Sequence, residues 1–81
     1  MYVTRHIAEL IKMRLKNMNI PMKQMLSDLK LGINTISEFS KGKEISCISL
    51  AKIADYLDCS VDYLLGRTDV PEVNRGEIYL P

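Results

Sequence analysis

The chain has 81 residues, 47% hydrophobic and 26% charged, which is room for one domain and too apolar a balance for disorder. A domain of this size buries only about 60–65% of the surface its unfolded chain exposes, leaving little volume for a deep catalytic cleft. The net charge of +1 hides an asymmetry: residues 1–43 hold eight Lys/Arg against three Asp/Glu, and residues 44–81 hold three against seven.

The basic front half suits a polyanion and the acidic back half a face turned away from it, unless the two are simply solvated surfaces. No apolar run approaches the roughly 18 residues of a membrane span, and the first six residues lack the uncharged core of a secretory signal. A cytoplasmic protein with no membrane partner is expected. Two cysteines, Cys47 and Cys59, and one histidine, His6, make neither a zinc pattern nor a disulfide framework. Both cysteines have apolar neighbours and are expected as buried thiols, with no metal and no cofactor.

In chain order, Thr4 offers a helix N-cap, and Ile7, Leu10, Ile11 and Leu15 follow at helical spacing up to Met18. Arg14 falls within or beside that stripe, an odd place for a charge. Pro21 ends this helix, because proline disfavours helical geometry in the residue before it. A short second helix begins just after Pro21, with Met22, Met25, Leu26 and Leu29 on one face. Gly32 breaks the pattern as turn residue or N-cap.

The third helix is predicted over 33–40. Ile36 and Phe39 form its only clear inward pair, so it packs on one side and presents the other; Gly42 closes it. Ser46 or Ser49 caps a fourth helix carrying Leu50, Ile53, Ala54 and Leu57. Ser60 caps a short fifth helix with Val61, Leu64 and Leu65, ending at Gly66. Residues 1–66 are thus expected as the domain and 67–81 as a tail. Within the tail, 67–76 reads as linker and Glu77-Ile78-Tyr79-Leu80 as a short strand or an apolar anchor.

The informative stretch is 20–43: a short amphipathic helix, a turn of about three residues, and a second short helix with a polar outer side. That arrangement lets the second helix enter a DNA major groove while the first braces it. The groove is about 12 Å wide and accepts a helix with its side chains.

The segment Ile20-Pro21-Met22-Lys23-Gln24-Met25-Leu26, continuing through Leu31-Gly32-Ile33-Asn34-Thr35-Ile36-Ser37-Glu38-Phe39-Ser40-Lys41-Gly42-Lys43, resembles the helix-turn-helix domains of phage Cro and cI repressors and related bacterial regulators. Leu50–Leu57 and Ser60–Gly66 are similar to that family's fourth and fifth helices. The resemblance spans about residues 5–68 and implies an all-α, five-helix, lambda-repressor-like fold with a short C-terminal extension. It further implies a transcriptional regulator, expected to be a repressor, that binds a near-palindromic operator in double-stranded DNA as a homodimer.

Carried over by position, the resemblance makes Ile33, Asn34, Ser37 and Glu38 the base-contacting candidates. Asn34 would pair with adenine, Glu38 would accept from a cytosine amino group, and Ile33 would touch a thymine methyl or else extend the core. Lys23, Thr35, Lys41 and Lys43 become the phosphate-contacting candidates; Thr35 has the alternative of packing on the second helix. The chain departs from the family at three places. Met22 stands where a Gln often opens the second helix, Lys30 where a turn Gly is common, and Ser40 where an acidic residue often pairs with the first-helix Arg. Arg14 is left to bond Ser40, Glu38 or a phosphate.

No Gly-rich phosphate loop or paired-carboxylate cleft is present in the sequence, so an enzyme is not expected. The competing reading is a protein-interaction module on the same fold, such as the antitoxin of a toxin–antitoxin pair, whose protein partner meets the acidic half or the tail.

Overall fold

A computed structural model describes residues 2–72. Five helices follow one another: Thr4–Asn17 (α1), Met22–Asp28 (α2), Thr35–Ser40 (α3), Cys47–Tyr56 (α4) and Val61–Leu64 (α5). No strand occurs among the described residues. Each helix contributes a narrow apolar stripe to one shared core. Ile7, Ala8, Ile11 and Leu15 come from α1, Met25 and Leu26 from α2, and Ile36 and Phe39 from α3. Leu50, Ile53, Ala54, Leu57, Cys59 and Leu64 complete it. Burying a side chain of the Leu or Phe class contributes about 1.5–3 kcal/mol, and no buried polar residue dilutes this core among the described residues. The long α1 packs against both α3 and α5, so the shortest helices are held by the longest one.

All five helices end in the same way. The residue after each C-cap is left-handed: Asn19 (φ 59°), Lys30 (58°), Gly42 (106°), Asp58 (55°) and Gly66 (79°). The next residue's N–H then donates back to a carbonyl five positions earlier, Ile20 to Leu15, Leu31 to Leu26, Lys43 to Glu38, Cys59 to Ala54 and Arg67 to Asp62, at 2.8–3.1 Å. This is the Schellman termination, which satisfies carbonyls the helix leaves orphaned. The side chain that each reversal delivers differs from helix to helix. Ile20, Leu31 and Cys59 turn toward the core. Lys43 and Arg67 instead meet the acid on the residue whose carbonyl they bond, Lys43 Nζ to Glu38 Oε1 at 3.4 Å and Arg67 Nε to Asp62 Oδ1 at 3.5 Å.

Several expectations are corrected in detail. Thr4 is the first residue of α1 rather than its cap; Val3 holds the cap position with extended backbone and contributes no side-chain bond. Cys47 opens α4 and is exposed, because it precedes the first inward position, Leu50; only Cys59 is a buried thiol. Burial pushes the Cys59 thiol up from its ordinary pKa; Arg14 opposes the shift and Asp58 adds to it. Arg14 meets neither Ser40 nor Glu38. Its Nη2 donates to the Leu57 carbonyl at 3.1 Å and its guanidinium lies 5.4 Å from the centre of the Tyr63 ring. The C-terminus of α4 thus takes the cation, as a helix C-terminus favours. The predicted strand or anchor at 77–80 lies outside the described residues, as do the last positions of the linker. The tail's first part turns back on the domain, with the Ser60 N–H donating to the Pro71 carbonyl at 2.9 Å. No helix among the described residues is long and apolar enough to cross a membrane.

Candidate nucleic-acid interface

The second helix of the motif is positioned from beneath by Ile36 (2% exposed) and Phe39 (5%), its only buried residues. From above it is positioned by the turn that leads in. Leu31 closes α2, the chain passes the exposed Gly32, and the Thr35 N–H donates to the Gly32 carbonyl at 3.0 Å. That i to i+3 bond makes Gly32–Thr35 a turn, so the helix begins at Thr35 and not at Ile33. Ile33 and Asn34 stand on the turn itself. Ile33 is 68% exposed, which excludes the reading in which it extends the core.

Asn34 occupies the N-cap position of α3, yet its side chain makes no capping bond. Its backbone, φ −96° and ψ 6°, departs from the extended geometry in which capping side chains normally sit. The amide is left free at the exposed end of the helix, while the backbone carbonyl accepts from the Glu38 N–H at 2.9 Å and from the Ser37 hydroxyl at 3.1 Å. Because Ser37 gives its proton inward, its outward lone pairs face solvent as acceptors. Glu38, one turn on, is paired with Lys43. Thr35 is half-buried and Lys41 is the exposed C-cap of α3.

Lys23 reaches the same edge from α2. It lines a shallow depression with Leu26, Ser27, Leu31 and Ile33, which joins the first turn of α2 to the tip of the connecting turn. A second depression brings together Thr35, Glu38 and Lys43 with Glu44, Ser46 and Ser49. The two depressions bring together five of the eight candidates, Lys23 with Ile33 and Thr35 with Glu38 and Lys43; Asn34, Ser37 and Lys41 are exposed but line neither, and Thr35 is only partly available. Ser27 shares the depression with Lys23, and sequence reasoning misses it. The signal is present all the same, since Lys23 and Ser27 are four residues apart on one helix face.

The local charge is positive. Between residues 20 and 43 the acids are Asp28 and Glu38, against Lys23, Lys30, Lys41 and Lys43. Asp28 accepts from the Tyr56 hydroxyl at 2.6 Å, a bond that ties α2 to α4 and raises the Tyr56 pKa, and Glu38 is held by Lys43. No cluster of metal-ligating side chains occurs among the described residues.

Two short helices joined by a tight turn, the second bare and polar on its outer side, define the helix-turn-helix class of DNA-binding domain. The comparison with known families agrees. The chain belongs to the Cro/C1-type HTH DNA-binding domain family, which matches residues 10–69. No curated protein and no solved structure matches the chain.

Proposed function

We propose that the protein is a sequence-specific transcriptional regulator, a repressor, that reads the major groove of double-stranded DNA with the exposed edge formed by Ile33, Asn34, Ser37 and Glu38. The observation that carries this reading is the Asn34 amide. A side chain of a type that would stabilise the helix by capping it makes no such bond, and it stands at the helix end that recognition helices direct toward base edges. Each good side-chain-to-base match discriminates by about 1–3 kcal/mol. Lys23, Lys41, Lys43 and the accessible part of Thr35 bind flanking phosphates and set register. Residues 1–66 form the binding unit. Two copies, joined through α5 and the 67–81 tail, place their third helices about 34 Å apart on a near-palindromic operator.

Binding to a duplex of random sequence tests the reading. The logarithm of affinity should fall linearly with the logarithm of salt concentration, and Lys23→Ala or Lys41→Ala should each flatten the slope by about 0.9. Absence of binding at low salt, or a slope unaffected by either change, contradicts it.

A further inference from the structure

Gly42 sets up an arrangement on the proposed DNA face that base contact alone does not use. Its φ of +106° reverses the chain after α3, and the Lys43 N–H closes onto the Glu38 carbonyl at 3.1 Å. The Lys43 side chain is thereby returned along the helix end to the Glu38 carboxylate, 3.4 Å away, with the two side chains 69% and 49% exposed. A base-contacting candidate and a phosphate-contacting candidate are thus bonded to each other before DNA arrives. An exposed pair of this kind is weak, so it biases Lys43 away from a phosphate by at most about five-fold without locking either group away from DNA.

Resting on the major-groove reading above, we propose that Glu38 is a specificity-determining residue that restrains binding to non-cognate DNA by holding Lys43. On a random sequence Lys43 reaches a phosphate only by leaving Glu38, and the carboxylate is stranded beside the polyanion. The stranded carboxylate attracts a cation from solution, which offsets the counterion Lys43 displaces from the duplex. Lys43 then adds little net affinity. A site that presents a cytosine amino group at the right step gives Glu38 a donor. The carboxylate is satisfied, Lys43 is released to the phosphate, and the two contacts form together. The discrimination attached to that base pair therefore includes the phosphate contact as well as the base contact.

A double-mutant cycle on a random-sequence duplex tests this, with wild type, Glu38→Gln, Lys43→Gln and the double variant measured between 50 and 200 mM salt. Both side chains are exposed, so the fold should persist in all four. Glu38→Gln should tighten random-duplex binding up to about five-fold, the equivalent of one exposed ion pair. It should also steepen the salt slope by about 0.9, the value of one phosphate contact. In the Lys43→Gln background the same change should tighten binding less and leave the slope unchanged. An identical effect in both backgrounds, or no tightening in either, overturns the restraint while leaving the major-groove reading in place. Failure of all four proteins to bind DNA at any salt overturns both.

Discussion

The helices α3 and α4 both present a hydrogen-bonding residue at the N-cap, and they use it in opposite ways. At α4, Ser46 adopts extended backbone and its hydroxyl accepts from the Ser49 N–H at 3.0 Å; the helix then runs for ten residues, with Leu50, Ile53 and Ala54 buried. At α3, Asn34 has the chemistry to cap but not the backbone, so its amide stays outside, and the six residues of the helix bury only Ile36 and Phe39. The α4 cap stabilises its own helix; the α3 cap position makes no such bond, and the proposed function assigns its amide to DNA. On the proposed reading, stability and recognition are carried by different side chains, and substitutions should separate them.

The largest effect falls where α3 has no redundancy. Phe39→Ala removes one of its two inward contacts and should cost about 3–5 kcal/mol, enough to unfold much of so small a domain. Urea denaturation reads this directly, and a loss near that of an exposed residue would show that α3 is held by something other than its inward pair. Ser46→Ala should cost about 1 kcal/mol by the same measurement and leave DNA affinity unaltered. If it instead weakened DNA binding while stability held, the division between the two helices would be wrong. The smallest effect should be a gain. Lys30 is left-handed with φ 58°, a conformation that strains any residue with a Cβ, and Lys30→Gly should stabilise the protein by up to about 1 kcal/mol. The gain is offset in part by the greater backbone freedom of glycine in the unfolded chain. A clear loss of stability would mean that the Lys30 side chain makes a stabilising contribution of its own.

Helix order and most of the core were legible because burial in a five-helix domain repeats every three to four residues, and Ile7, Ile11 and Leu15, or Leu50, Ile53 and Leu57, keep that spacing. Ser60 was legible as a cap from residue type and position, and Ser46 as one of two candidates with Ser49. The start of the third helix was not. Ile33 and Asn34 fit a helical pattern as well as a turn, and the bond from Thr35 to Gly32 that decides between them leaves no mark on residue type. Cys47 shares a helical face with Leu50, three residues on, and is exposed because it is the first residue of α4, a place that was fixed only once Ser46 rather than Ser49 proved to be the cap. Arg14 was illegible for a different reason. Its contacts, the Leu57 carbonyl and the Tyr63 ring, lie more than forty residues away, and one of them is backbone. The link between Glu38 and Lys43 was hidden likewise, since the two meet only through the reversal at Gly42.

Selection of binding sites from random duplex DNA, run in parallel on wild type and Asn34→Ala, reaches the central claim most directly. The account predicts that wild type enriches a two-fold symmetric motif whose half-sites are centred about 34 Å apart. It predicts that Asn34→Ala loses the preference for a single base pair in each half while the rest of the motif persists. Enrichment of the same motif by both proteins, or of none by wild type, would contradict it.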